Sequence, residues 1–236
     1  MADLAPLPED WDRALAIVAH PDDLEYGASA AVARWTDAGK TVSYLLASRG
    51  EAGIDSMPPV KAGPLRSAEQ VAAAAIVGVD VVEFLDHPDG VIEYGVALRR
   101  DLASAIRRHR PELVITLNHR ETFEGGHLNM ADHRNVGIAV LDAVRDAANR
   151  WVFPDLGAAW DGVRWVAVAS SPAPTHAVDI VSTVDRGVAS LRAHAAYLAA
   201  LDGPMSDAGV YLRTLARDTG ERFGGRSAVS FELIAM

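Results

Sequence analysis

The chain of 236 residues contains no cysteine. Disulfides and thiolate metal sites are therefore excluded, and any metal must be held by histidine, aspartate or glutamate. Basic residues are outnumbered, 22 Lys and Arg against 32 Asp and Glu, for a formal net charge of -10. Such a chain lacks the basic face that nucleic acid or an anionic membrane surface selects, so no nucleic-acid or membrane partner is expected. No apolar stretch approaches a membrane span, and the segment from Met1 to Asp12 has neither the basic start nor the apolar run of a signal peptide. A cytoplasmic protein is the expectation. Internal repeats are missing, and no Gly-x-Gly-x-x-Gly follows the first strand pattern, where acidic residues stand in the place a phosphate would take.

Half of the residues are hydrophobic, enough for one sizeable core in a single domain over residues 1–236. The stretch that organises the rest is Ala16-Ile17-Val18-Ala19-His20-Pro21-Asp22-Asp23-Leu24-Glu25-Tyr26-Gly27. An apolar run with the look of a buried strand stops at a proline, and an imidazole and two adjacent carboxylates follow before a helical pattern begins. Asp22 and Asp23 would repel one another, and burial would raise their pKa values, unless a cation or strong donor sits between them. His20 and Asp23, three residues apart on one side of the turn, are ordinary zinc ligands.

The spacing predicts a strand over Arg13–Ala19, a helix over Leu24–Gly39 and a strand over Lys40–Ala47, a βαβ start. Further helices are expected over about Leu65–Val77, Tyr94–Arg108, Ala131–Asn149 and Asp207–Asp218, with a helix from Thr183 whose apolar stripe runs from Val184 to Leu198. Strands are expected over Val79–Leu85, Leu113–Leu117, Arg164–Ala169, Ala177–Val181 and Ala228–Ile234. The fold class is α/β: a three-layer, Rossmann-like, mostly parallel sheet with helices on both faces. Ligands in such sheets bind beyond the carboxyl ends of the strands, where the loops holding His20, Ser48–Gly53, Asp86–Gly90 and Asn118–Met130 emerge. A catalytic zinc site needs three protein ligands and an open position. His133, at the start of the helix after the fourth strand, is on the right edge of the sheet to be the third.

The motif Ala19-His20-Pro21-Asp22-Asp23-Leu24-Glu25 resembles the signature of the PIG-L/LmbE-like zinc-dependent N-deacetylases, and the likeness extends to Gly220-Glu221-Arg222-Phe223 before the last strand. The resemblance implies one zinc ion per chain on His20, Asp23 and His133, with Asp22 as the general base that activates water and returns a proton to the departing amine. It implies an N-acetylglucosamine-like or related small N-acyl substrate, and Arg66 and Asp89 as contacts to sugar hydroxyls. The His87-Pro88-Asp89 triplet itself reads as a turn that imitates the metal motif. The family's second motif has a histidine, an oxyanion donor, where this chain has Met130, while the acid that would orient it is kept as Asp132. A thioether donates no hydrogen bond. Either His127, Asn129 or His119 takes over, or the enzyme uses zinc alone and is slower; His127 joins Asp22 and Asp132 in the catalytic set, and Asn129 joins Arg66 and Asp89 as a substrate contact. His109, His176 and His194 read as surface or packing residues.

Four readings stand side by side: an N-deacetylase of amino sugars, an amidase of a bulkier thiol-conjugate-type amide on the same zinc site, a nucleotide-binding α/β protein, and a metal-binding relative without turnover. A homo-oligomer is compatible with each.

Overall fold

A computed structural model describes residues 3–236. In chain order the elements are β1 (Ala5–Pro6), β2 (Arg13–Val18), α1 (Asp23–Gly27), α2 (Ser29–Asp37), β3 (Thr41–Leu46), α3 (Pro59–Ile76), β4 (Val81–Phe84), α4 (Val96–His109) and β5 (Leu113–Leu117). Then come α5 (Ala131–Ala148), β6 (Trp165–Ala169), β7 (His176–Asp179), α6 (Val184–Arg192), α7 (Ala195–Ala199), α8 (Ala208–Gly220) and β8 (Ala228–Ala235).

The strands form one sheet in the order β1-β7-β8-β6-β5-β2-β3-β4. All pairings are parallel except those β8 makes with β6 and β7. β2 shows why its sequence is an unbroken apolar run. Ala14, Ala16 and Val18 point into the core on one face of the sheet, whereas Leu15 and Ile17 point into the other. On the first face lie α1, α2, α6 and α8; on the second α4 and α5 pack together. The sheet with its two helical layers is the expected three-layer α/β architecture.

From β2 the chain moves outward through β3 to β4, and then returns to place β5 on the opposite side of β2. The strand order reverses between β2 and β5. Helices leaving neighbouring strands there diverge to opposite faces and open a crevice at the strands' carboxyl ends, the general ligand position in open α/β sheets.

Several boundaries differ from those the periodicity predicts. The helix expected over Leu24–Gly39 is interrupted at Ala28, whose φ of -146° is not helical. At that point Gly27 docks so closely on β6 that an added Cβ would lie 3.1 Å from that of Ala169 and 3.2 Å from Ser170 Oγ. The stripe from Val184 to Leu198 is likewise split into α6 and α7, with His194 at the break. α3 begins six residues before Leu65, because Pro59 occupies its first turn, where the missing N–H costs nothing. The short β1 strand, which pairs with β7, had no sequence signal. Among the described residues no helix is long and apolar enough to cross a membrane.

Candidate metal centre and its surroundings

His20 follows β2, and His133 stands in the first turn of α5, which follows β5; the two flank the crevice where the strand order reverses. Their rings approach at an angle of 55°, with His20 Nδ1 3.3 Å from His133 Nε2. Asp23 completes the group. Its Oδ1 lies 3.1 Å from His133 Nε2, and its Oδ2 accepts the backbone N–H groups of Ala19 and His20 at 3.0 and 2.9 Å.

The outer nitrogens of the two rings reveal what the inner ones can do. His20 Nε2 faces two carboxylates, Asp89 Oδ1 at 3.0 Å and Asp132 Oδ2 at 3.2 Å. His133 Nδ1 faces the amide oxygen of Asn129 at 3.0 Å, and that amide cannot be turned round, since its nitrogen donates to the carbonyls of Asn118 and Arg120. Each outer nitrogen therefore keeps a proton, and each ring, once its inner nitrogen gives up any proton it holds, presents a lone pair inward. Two imidazole lone pairs and a carboxylate oxygen then converge, all within 4.8 Å of one another. Such a cluster is repulsive without a cation, and two imidazoles with one carboxylate suit a tetrahedral Zn2+ with an open position. The residues present fit the metal.

The electrostatics agree. Burial opposes a charge on Asp23, yet His133 and His20 hold its carboxyl well below the usual carboxylate range. Burial also opposes a charge on His20, but Asp132, Asp23 and Asp89 outweigh it and raise its pKa well above the ordinary histidine value, so a cation arriving at Nδ1 competes with a proton.

Asp22 is held differently. Its backbone is in the left-handed region at φ 87°, a conformation that costs a non-glycine residue about 1 kcal/mol or more. Its N–H donates to Gln70 Oε1 at 3.0 Å, and Arg66 clamps the turn by donating to the carbonyls of Pro21 (2.7 Å) and Gly50 (2.8 Å). Gly50, itself at φ 63°, and Gly53 leave the space the guanidinium fills, where a Cβ on either would overlap it. Asp22 is 5% exposed, and burial first, then the neighbouring Asp23 charge, push its pKa up to about 7 against the pull of Arg66, His194 and His20. Its Oδ2 has no hydrogen bond and lies 3.3 Å from Arg66 Nη2.

Beneath Asp22 is a buried polar layer. Gln70 donates to Glu25 Oε1 at 3.0 Å, Ser190 reaches the same oxygen at 3.4 Å, and His194 Nε2 stands 3.3 Å from Glu25 Oε2. His194, a surface or packing residue by its sequence context, is fully buried here.

The structure assigns the other expected site residues to distinct places. Asn129 is 2% exposed with its amide fully engaged, so it stands behind His133 rather than toward a substrate. Asp132 meets no displaced oxyanion donor; it accepts from Gly90 N at 2.7 Å and Ile92 N at 3.0 Å, and so ties the loop after β4 to the back of His20. Arg66 lines the cavity; its Nη1 and Nη2 donate to backbone carbonyls, Nη2 also lies 3.3 Å from Asp22 Oδ2, its Nε has no hydrogen-bond partner, and the ring of Tyr197 covers it at 4.3 Å. Asp89 lines the cavity and also holds Ala52 N at 2.7 Å. His119 packs on Gly137 of α5 and is not among the cavity-lining residues. Of the three candidates for the role lost at Met130, only His127 reaches the cavity, at its exposed rim. Tyr197 and Gln70 have no sequence signal at all; a tyrosine two residues after a helix start looks like any packing residue until its ring is found over Arg66.

Comparison with known proteins places these features in a family. A model described as PIG-L, GlcNAc-PI de-N-acetylase, matches residues 15–144. The diacetylchitobiose deacetylase of Thermococcus kodakarensis is 28% identical over 95% of this chain and 84% of its own. The structure of the N,N'-diacetylchitobiose deacetylase from Pyrococcus horikoshii superposes with a TM-score of 0.85 at 23% identity, covering 96% of this chain and 85% of that one. The 4-carboxy-2-hydroxymuconate hydratase GalB of Pseudomonas putida shares the fold at a TM-score of 0.75 and 21% identity, over 95% of this chain and 97% of that one. The family match includes the His20 turn, Asp89 and His133 and spans more than half of the sequence, and the chain belongs to the PIG-L family.

Proposed function

We propose that this protein hydrolyses the N-acyl bond of an amino-sugar-like amide, with one Zn2+ on His20, Asp23 and His133 and with Asp22 as the proton carrier. The observation that supports it most is the convergence of three lone pairs beside a buried carboxyl whose pKa lies near 7. Bound there, the metal would supply Lewis acidity to polarise the amide carbonyl and acidify water. Asp22, whose carboxyl burial pushes up from the ordinary carboxylate range, takes a proton from the attacking water and gives it to the departing amine, the role of a general acid–base group. Asp132 and Asn129 keep the two imidazoles in the ligating tautomer. The relatives named above as diacetylchitobiose deacetylases make an N-acetylated amino sugar the first substrate to offer.

The test is metal content together with amine release from N-acetylated amino sugars, for wild type, Asp22→Asn and His133→Ala. Wild type is expected to carry about one metal per chain and to release amine. Asp22→Asn should keep the metal and lose on the order of 10²–10⁴ in kcat, and His133→Ala should lose the metal. A wild type that binds no metal after reconstitution refutes the proposal.

A further inference from the structure

The cavity that holds the candidate centre, about 710 Å³ in volume, changes chemistry along its length. Following the sheet order, it begins at the loops after β3 and β4, with Gly53 and Asp89, and at Arg66 of α3. It passes His20, Asp23 and His133 at the ends of β2 and the start of α5. It then continues beyond the ends of β6, β7 and β8, where Tyr26, Val184, Tyr211, Leu212, Leu215 and Val229 form its walls. Apart from Glu25, which lines the cavity beside Tyr26 and is turned toward Gln70, Ser190 and His194, the charged side chains that line the cavity belong to the first two parts, with Asp22, or to the Phe123–His133 rim; the last part otherwise contributes apolar groups, tyrosines and neutral hydroxyls. Its walls are built, not accidental. Tyr26 and Tyr211 meet edge to face at 5.5 Å, and the Tyr26 hydroxyl donates to the carbonyl of Met205 at 2.9 Å, holding the 204–206 turn against α1. Leu215 on α8 still leaves 42% of its surface exposed. An apolar surface continuous with a reactive centre, inside a concave site, is where an apolar part of a ligand gains by leaving water.

We infer that this lobe receives the acyl chain of the substrate, and that the enzyme is an N-deacylase for amides carrying a medium-length apolar acyl group rather than acetyl alone. The inference rests on the hydrolase reading above. The choice of the acyl over the amine side comes from Asp22. The group that returns a proton to the amine must be on the amine side of the carbonyl, and Asp22 pairs with Arg66 at 3.3 Å, at the polar end. An amide with its carbonyl at the centre then directs its nitrogen and sugar hydroxyls toward Arg66 and Asp89, and its acyl carbons toward Tyr211 and Leu215. In the reaction the C–N bond breaks, the water oxygen bonds to the carbonyl carbon, and its proton passes through Asp22 to nitrogen; the products are a carboxylic acid and a free amine. A short acetyl group leaves the lobe wetted and its apolar walls unused.

The experiment is a chain-length series of N-acylglucosamines from acetyl to octanoyl, with the octyl glycoside of N-acetylglucosamine as the control for an apolar group on the other side. Catalysis is read on the zinc-loaded enzyme, and binding by calorimetry on the zinc-loaded Asp22→Asn variant, which holds substrate without turning it over. Both affinity and kcat/KM are expected to rise with acyl length, by up to about fourfold per methylene buried, and to level off once the lobe is filled. Leu215→Asp should flatten the series. If acetyl is cleaved and longer acyl groups bind and react worse, the inference is overturned while the hydrolase reading survives. If the octyl glycoside gains and the octanoyl amide does not, the lobe belongs to the amine side and the acyl assignment fails. If nothing is cleaved but the octanoyl amide binds Asp22→Asn tightly, in a way that Leu215→Asp abolishes, the lobe stands and the hydrolase reading falls.

Discussion

The amide oxygen of Asn129 accepts from His133 Nδ1 at 3.0 Å, one helical turn before the histidine, and through that contact a buried side chain sets which nitrogen of His133 faces the candidate metal position. Asn129→Ala removes the acceptor and frees the ring to rotate or to take the other tautomer. Loss of such an outer partner lowers metal affinity by about 10–100-fold in other sites. Competition with a chelator, read as the zinc dissociation constant, is expected to show a loss of that size in Asn129→Ala. An unchanged constant would mean that the ring is held by packing against Phe123, whose edge meets it at 6.3 Å.

Gln70 bridges two things that sequence keeps far apart, the Asp22 N–H and Glu25 Oε1. It satisfies a strained, buried N–H on one side and a buried carboxylate on the other. Gln70→Ala leaves both short of a partner, at about 1–3 kcal/mol for each unsatisfied group. Chemical denaturation should show a loss of stability in that range, and the catalytic rate should fall more than KM changes, because the Asp22 turn loses its anchor. Gln70→Glu restores the acceptor for Asp22 N–H but sets a carboxylate against Glu25, so it should rescue neither quantity fully.

Much of the fold was legible because burial on both faces of a parallel strand leaves an unmistakable apolar run, as in Arg13–Val18 and Leu113–Leu117, and because a proline and two acids mark where the first run ends. The candidate ligands were legible for the same reason: charged groups crowded at a strand end have few structural explanations. What could not be read is which polar side chains meet which backbone atoms across long loops. Asn129 and Asp132 read as a substrate contact and a catalytic residue in sequence, and the partners they meet in space, His133 Nδ1 and His20 Nε2, carry no sequence signal, since one hydrogen-bond capacity serves a substrate or a neighbouring histidine equally well. Helix interruptions at Ala28 and His194 were also hidden, because the local pattern is helical throughout and the break is decided by contacts with distant partners, Gly27 on Ala169 and His194 on Glu25.

Tyr197 offers a donor for the role that Met130 cannot fill. Its ring lies over Arg66, it lines the cavity near Asp22, and burial together with the Asp22 charge raises its pKa far above the usual tyrosine value, so the hydroxyl keeps its proton throughout the working range. Tyr197→Phe is expected to lower kcat by about tenfold or more, toward the 10²–10³ lost when one oxyanion donor is removed, with zinc content and KM little changed. His127→Ala, at the exposed rim, provides the comparison. A Phe variant with full kcat alongside a crippled His127→Ala variant would assign the donor to the rim histidine.

The buried His194–Glu25 pair makes a stability prediction with a definite sign. Burial lowers the His194 pKa, but Glu25, then Asp22 and Glu69, outweigh it, so the folded-state value is raised above the ordinary histidine value. A raised histidine pKa stabilises the fold fully below the unfolded value, near pH 6.5, and this contribution is lost as pH rises through the folded value. Asp22 titrates near 7 and interacts with the same imidazole, so the comparison belongs in an Asp22→Asn background. There, adding His194→Asn leaves Glu25 facing no cation, at a cost of about 3–5 kcal/mol for breaking a buried pair. The cost should be greatest near pH 6 and shrink steadily toward pH 9, when unfolding free energies of the two proteins are measured side by side. A gap that is constant with pH would mean that His194 is held as a neutral hydrogen-bonded ring, and a gap that widens with pH would reverse the sign of the coupling and refute the ion pair.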